Sequence, residues 1–444
     1  MQTVFTPEQL RDPDIAASNQ VLRTCVHCGF CTATCPTFLL LGDELDSPRG
    51  RIHLIKDMLQ RSGVPSPHVV KHLDRCLSCL SCETHCPSGV SYRRIIDAGR
   101  AYVDRRYRRP LPDRALRALI AHLLPHPGRF RAVMHLAALV QPFAGWLEQA
   151  PLTRPLAAML RLREVALARP RPAAHSPSAP STKSSPAAPA ARAEAPVLRV
   201  GVARGCVEPV LDPEIQAATA RLLERAGCEI VRAPREGCCG GLSHHMGREA
   251  EARKLARANV DAWHRALTAG PLDAIVISAS GCGPVVRDFA HLLREDAGYA
   301  DKAAQVAALA CDLSQVLERV ALPPPARAVR TVVGYHAACS QQHGQRLGDA
   351  PARLLRAAGF EVRVPKDAHL CCGSAGVYNI LEPAIAARLG ANKAQALDAL
   401  AADVIAGGNL GCLLQIGAAS GLPVVHTAQL LDWATGGPRP AAMR

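Results

Sequence analysis

Two cysteine runs of identical spacing constrain this chain more than any other feature. They are Cys25-x2-Cys28-x2-Cys31-x3-Cys35-Pro36 and Cys76-x2-Cys79-x2-Cys82-x3-Cys86-Pro87. A 4Fe–4S cube needs one soft thiolate per iron, and x2 spacing lets a short loop wrap three of its corners. In the two-cluster form of this pattern the fourth cysteine of each run reaches across to the other cube. The spacing therefore predicts one cube on Cys25, Cys28, Cys31 and Cys86, and a second on Cys76, Cys79, Cys82 and Cys35. The proline after each fourth cysteine is expected to stop the loop from running on as a regular element. Structural zinc is the competing reading. Zinc favours paired Cys-x2-Cys knuckles with four ligands in all, and a third and fourth cysteine in one run add nothing to such a site.

Thiolates that hold iron need a reducing compartment, which argues against reading the eighteen cysteines as a disulfide framework. The opening MQTVFTPEQLRDPD has neither a basic segment nor an apolar one, so a cytoplasmic location is expected. With 444 residues, the chain exceeds one comfortable core and predicts two or three domains. Its formal net charge of +14 is concentrated most densely in Arg100 to Arg109. No helix-turn-helix, zinc-finger or aromatic-interleaved pattern accompanies that run, so nucleic acid is not an expected partner and a solvated surface is. A docking face for an acidic partner or an anionic membrane surface is the second reading. The longest uncharged central stretch, Ala132 to Leu147, falls short of the roughly 18–20 apolar residues a bilayer demands. It reads as a packed helix, with peripheral association at a membrane or a partner as the alternative.

Residues 1–105 read as the two-cluster domain. Between its motifs, Ile52, Leu54, Ile55, Met58 and Leu59 recur at helical spacing before Gly63, so helices separate the clusters. Residues 106–169 read as a further helical segment. Residues 170–196 are rich in Pro, Ala and Ser without hydrophobic period and read as a disordered tether that lets the two halves shift.

The second half repeats itself. Each copy, 197–320 and 328–444, opens with a β-rich strand ending near a lone cysteine, Cys206 or Cys339. A helix and a second strand lead to Cys238-Cys239-Gly240 or Cys371-Cys372-Gly373, separated from the first cysteine by 31 residues both times. A long helix, an apolar strand and a closing cysteine follow, Cys282 or Cys412. Alternating strands and helices imply parallel α/β layers, with the cysteines converging at the strand ends where such folds build sites. The expected architecture is thus multidomain: an α-helical two-cluster ferredoxin-like domain followed by two α/β cysteine-rich repeats. Adjacent cysteines in a tight loop can be small buried hydrophobes, but equal spacing in two copies favours a metal, cluster or redox role for all eight repeat cysteines. Cys228 and Cys311 have no counterparts and read as core residues. His27 and His85 read as satisfied loop histidines, with tuning of the cluster potential the lesser alternative, and His244 and His245 as surface-loop residues, with metal ligands or acceptor-site residues the lesser alternative.

At SPRGRIHLIK, GCVEPVLDPEIQAATARLL, EGCCGGLSHH, SASGCGPVVRDF and HLCCGSAGVYN the chain resembles the iron–sulfur subunits of bacterial glycolate oxidases. The resemblance spans nearly everything but the tether. It implies a subunit, not catalytic alone, that takes electrons from FAD-bearing flavoprotein partners oxidising glycolate to glyoxylate and hands them to a quinone or other acceptor. No Gly-x-Gly-x-x-Gly follows a strand here, which agrees with the flavin residing on the partner. The chain is similar, more weakly, to the corresponding subunits of glycerol-3-phosphate dehydrogenase, to lactate-utilisation proteins acting on D-lactate, and to heterodisulfide reductase. In the last, each full repeat ends in Cys-x2-Cys and holds a non-cubane cluster. Here the endings are Cys282-Gly-Pro-Val285 and Cys412-Leu-Leu-Gln415, which argues against that cluster and against a disulfide reductase activity.

Overall fold

A computed structural model describes residues 1–140 and 198–444. The helical reading of 141–169 and the tether at 170–196 lie outside the described residues. The N-terminal unit is helical: α1 Pro13–Thr24, α2 Pro36–Leu41, α3 Pro48–Arg61, α4 Pro67–Asp74, α5 Ser81–Thr84, α6 Tyr92–Arg106, α7 Leu111–Leu123 and α8 Pro127–Val140. A local code starts several of these helices. Asp12, Ser47 and Ser66 each accept a hydrogen bond from an N–H of the first turn, and each is followed by a proline at the first helical position, where its missing N–H costs nothing. The same rule corrects the expectation for Pro36. It starts a helix, with Cys35 as the preceding cap residue. Only Pro87 leads into a turn without a helix. Helix α3 also stops before Gly63, at Ser62 in the left-handed conformation.

The second half holds two four-stranded parallel sheets. The first, ordered β2-β1-β3-β4, comprises β1 Arg199–Val202, β2 Glu229–Val231, β3 Ala274–Val276 and β4 Ala310–Cys311. The second, ordered β6-β5-β7-β8, comprises β5 Val332–His336, β6 Glu361–Arg363, β7 Val404–Gly407 and β8 Val424–His426. The register repeats as well, Gly201 lying opposite Ile275 in one sheet and Gly334 opposite Ile405 in the other. Helices α9 Glu214–Arg225, α10 Gly241–His245, α11 Glu249–Ala269 and α12 Leu313–Val320 belong to the first copy. Helices α13 Ala350–Ala357, α14 Pro383–Asp398, α15 Leu410–Gly417 and α16 Thr427–Ala434 belong to the second. The sheets share one core, in which Val200, Val202 and Leu222 pack with Val333, Leu355, Val404 and Leu431. Cys228 is buried within this core and Cys311 packs against it, as their lack of repeat partners implied.

The helical unit docks on both copies. Arg94 grips Asp288 through two hydrogen bonds of 2.6 and 2.5 Å, and Arg294 reaches Asp14 at 2.6 Å. Leu77 packs with Cys371, Tyr378 and Leu389 of the second copy, and the Tyr378 hydroxyl donates to the Arg75 carbonyl at 3.1 Å. The expected looseness between halves is therefore not what the described residues show. Nor is the Arg100–Arg109 run a solvated face throughout. Arg100 is buried, donating to Ser78 Oγ at 2.7 Å and to the Leu73 carbonyl. The Arg109 side chain is buried against Asp74 at 2.6 Å.

Candidate iron–sulfur and thiol sites

Two adjoining pockets collect the eight N-terminal cysteines. Cys25, Cys28, Cys31 and Cys86 line the first, with Ile52, Val90 and Tyr92 as apolar walls. Cys35, Cys76, Cys79 and Cys82 line the second. Cys82 and Tyr92 line both. Each pocket thus takes the fourth thiol from the other run, the arrangement the spacing predicts. The wrapping depends on left-handed backbone at His27 and Gly29 around the first pocket, and at Ser78 and Leu80 around the second. His27 accordingly serves as a turn residue whose Nε2 has no partner among the described residues, whereas His85 Nδ1 lies 2.8 Å from the Ser81 carbonyl.

The donor chemistry suits an iron–sulfur cube. All eighteen cysteines are free thiols, and backbone N–H groups already point at sulfur: Ser78 to Cys76 at 3.5 Å and Val90 to Cys86 at 3.4 Å. Burial pushes the Cys31 thiol up to about 11 and raises Cys79 and Cys82 well above the usual range. Such thiols ionise when a cation offsets the lost hydration. Cys76 already has that help. Burial opposes its ionisation, but the Arg51 and Arg100 charges outweigh it and bring its pKa down.

Arg51 is fully buried beside the second pocket. Its Nε donates to the His72 carbonyl at 2.7 Å, and Nη2 donates to Thr37 Oγ1 at 3.1 Å and Asp46 Oδ1 at 3.3 Å. Nη1 stands 3.9 Å from the Cys35 sulfur. Asp46 is held in turn by His72 and Arg75, both at 2.9 Å. Periodicity alone did not single Arg51 out, because an arginine in an amphipathic helix reads as solvent-facing.

In the repeats, each cysteine set gathers at the carboxyl ends of its strands. Cys238 shares thiol contacts with Cys206 and Cys239, and Cys239 also contacts Cys282. In the second copy Cys339 and Cys371 are 4.0 Å apart, Cys371 contacts Cys372, and Cys372 contacts Cys412. The glycine after each cysteine pair has a steric reason. Gly240 and Gly373 sit at φ of +83° and +84°, and a Cβ on either would stand 2.8 Å from a carbonyl oxygen of the following long helix. At the positions where a fifth cysteine would complete the longer pattern, Val285 is buried and the Gln415 side chain donates to the Ala386 carbonyl at 2.9 Å. Those positions serve packing.

Between the helical unit and both repeats lies a cavity of about 250 Å³. Cys79 of the second pocket faces it, as do Cys206, Cys238, Cys239, Cys282, Cys339 and Cys412, with Leu77, Leu80, Ile96, Phe130 and Leu242 among its apolar walls. His244 and His245 line it too. They belong to the end of a short, partly buried helix, not to a surface loop. His244 Nε2 pairs with Asp97 at 3.1 Å. Burial works against that imidazolium, but Asp97 prevails and raises the His244 pKa. Asp97 itself is held below the usual carboxylate range against its own burial by His244. Burial drives neighbouring His245 down to about 4 and Glu208, which accepts from Ser278 Oγ at 2.7 Å, up to about 7. Asp97 and Glu208 carry no motif, and only the fold brings them to the cavity.

Comparison with known proteins agrees with this geometry. A 4Fe-4S dicluster domain model matches residues 21–90, and a cysteine-rich domain model matches 200–287 and again 333–417. The fold and its thiol sites therefore define an iron–sulfur electron-transfer protein. The chain is 39% identical over 434 residues to the glycolate oxidase iron-sulfur subunit of Escherichia coli, covering 98% of this chain and 99% of that one. It is 32% identical to the probable glycolate oxidase iron-sulfur subunit of Bacillus subtilis, covering 94% of each. It belongs to the family of glycolate oxidase iron–sulfur subunits. Lactate utilization protein A of Bacillus licheniformis matches 53% of the chain at 27% identity, covering 99% of that protein. The fold is shared with a hypothetical protein from Helicobacter pylori at a TM-score of 0.50 and 9% identity, covering 97% of this chain and 74% of that one.

Proposed function

We propose that the chain carries electrons away from a flavoprotein that oxidises glycolate to glyoxylate, with FAD on the partner and no substrate chemistry of its own. Cys25, Cys28, Cys31 and Cys86 hold one 4Fe–4S cluster, and Cys76, Cys79, Cys82 and Cys35 hold the other. Each cluster, when bound, supplies one-electron transfer. The observation that carries this reading is the order of the thiol sets. The first pocket meets the surface, where Cys28 is exposed and Val26 and Phe30 are 67% and 66% exposed, a setting suited to a docked flavoprotein. The second pocket is buried and shares Cys79 with the central cavity, onto which both repeat thiol sets open. Entry at the first and exit at the second is the direction this favours.

The eight repeat cysteines, Cys206, Cys238, Cys239, Cys282, Cys339, Cys371, Cys372 and Cys412, form the metal or redox sites at the exit. The cavity's apolar walls favour a quinone as acceptor, reached by peripheral association at the inner face of the membrane. Among the described residues no helix is long and apolar enough to cross a membrane. In this scheme residues 1–105, 197–320 and 328–444 are the functional domains.

Co-expression with a flavoprotein subunit of a glycolate oxidase, followed by assay with glycolate, D-lactate and glycerol 3-phosphate, tests the reading. Glycolate-dependent dye reduction that requires both polypeptides supports it. Preference for D-lactate would move the chain to the lactate-oxidising relatives, and turnover by this chain alone would refute the subunit role.

A further inference from the structure

The two repeats match position for position, and at two places beside the thiols they differ in chemistry. Three residues before the first cysteine of each set, the first copy has Ala203 and the second has His336. On the long helix that follows the Cys-Cys-Gly turn, the first copy has Asn259 and the second has Lys393. The helix positions are paired through the carbonyls of Ala252 and Ala386, which approach Gly240 and Gly373 in the same way. Asn259 donates to the Cys238 carbonyl at 2.6 Å. Lys393 is buried, donates to the Asp367 carbonyl at 2.8 Å, and carries its charge beside Cys371, Cys372 and Cys412.

His336 is 2% exposed at the end of β5, and neither ring nitrogen has a partner among the described residues. A buried imidazole with both nitrogens unpaired is costly unless something outside the protein chain satisfies one of them. A ring nitrogen of His336 and the sulfurs of Cys372 and Cys412 all lie within 4.8 Å of one another. Donors bound to a single tetrahedral zinc stand roughly 3.5–3.8 Å apart, given bonds of about 2.0–2.3 Å, so small side-chain movements close the set. Ligands that each serve a different iron of a cube must stand wider than ligands of one ion. The other triad of this kind among the described residues, Asp43, Asp46 and His72, needs no cation, because Arg51 and Arg75 already neutralise Asp46.

We propose that the second repeat, and not the first, holds a single zinc ion through His336, Cys372 and Cys412, with Cys371 as the adjacent donor for the fourth position. The inference rests on the reading that the repeat cysteines are metal or redox sites, and it divides their labour. Zinc carries no electrons. The ion pins the Cys-Cys-Gly turn and the closing helix α15 onto the end of β5, beside the place where Leu77 and Cys79 of the helical unit pack. Lys393 offsets the excess negative charge of several thiolates around one divalent cation. The electron-exit role falls to the four thiols of the first copy, where Ala203 and Asn259 stand at the positions of His336 and Lys393.

The test is metal analysis of the full chain purified without oxygen and reconstituted with iron and sulfide, together with zinc-edge X-ray absorption. Wild type should contain about one zinc per chain with a mixed nitrogen–sulfur shell. His336→Ala and Cys412→Ser should lower zinc content by roughly tenfold or more, with iron, sulfide and the visible spectrum of the N-terminal clusters unchanged. Cys282→Ser in the first copy should leave zinc at its wild-type level. His336→Cys, which returns a soft donor, should keep zinc in an all-sulfur shell and guards against misfolding of the alanine variant. Zinc retained by both His336→Ala and Cys412→Ser, zinc lost equally from Cys282→Ser, iron in place of zinc, or no zinc in wild type would each overturn the proposal. The iron and sulfide figures report separately on the two-cluster reading, so either can fail alone.

Discussion

Replacing Arg51 by methionine should lower the reduction potential of the cluster bound in the second pocket. The methionine fills much of the arginine's buried volume while removing its charge. Reduction adds an electron, so a nearby cation stabilises the reduced form and its loss makes reduction harder. Arg51 Nη1 lies 3.9 Å from the Cys35 sulfur. At an effective dielectric of about 20, a unit charge at that distance contributes about 4 kcal/mol. Spreading the added electron over the cluster roughly halves this, to about 2 kcal/mol, on the order of 90 mV for a one-electron couple. Arg51→Lys keeps the charge and should recover most of the shift while losing the fork that ties Thr37, Asp46 and the His72 carbonyl together. Potentiometric titration followed by electron paramagnetic resonance reads both clusters. A shift under about 20 mV in the methionine variant, or one confined to the first-pocket cluster, would show that the charge argument or the cluster assignment is wrong.

Cys35→Ala should damage the cluster anchored by Cys76, Cys79 and Cys82, and Cys86→Ala the one anchored by Cys25, Cys28 and Cys31; spectroscopy finding the reverse pattern would undo the cross-ligation. Cys239→Ser should leave both N-terminal clusters spectroscopically intact while slowing electron delivery to the acceptor, whereas lowered thermal stability with unaltered turnover would reduce the first repeat set to packing. His245 stays neutral in the folded chain down to about pH 4, whereas the unfolded chain takes up its proton near pH 6.5. The unfolded state then binds more protons, so stability on the order of 3 kcal/mol is lost as pH falls from about 6.5 toward 4. Denaturant titrations of His245→Gln should show a correspondingly shallower acid limb, and an unchanged limb would place the loss elsewhere.

How much of this was legible beforehand followed the range of the interactions. The pocket membership of all eight N-terminal cysteines was readable because ligand spacing is a local property of the chain. The two α/β copies were readable because repetition exposes which positions matter. Pro36 was misread because the signal that breaks a loop also starts a helix, and only the geometry around Cys35 decides between them. His244 and His245 were misread for a different reason. Their charged neighbours are Asp97 and Arg100 on α6, well over a hundred residues away in sequence. Arg100 itself looked solvated because a basic run is normally a surface, and here the loop that wraps the second pocket needs a cation beneath it to hold the Leu73 and Cys76 carbonyls.

Arg51, Arg100 and Lys393 share one physical logic. Each is a cation buried beside thiols. Among the described residues the first pocket has no such cation fully buried: Arg49, which lines it, is about one-third exposed and tied to Glu44 at 2.8 Å. A cluster beside buried positive charge is easier to reduce than one beside screened charge. On the proposed electron path, this charge distribution favours transfer from the exposed first pocket to the buried second one.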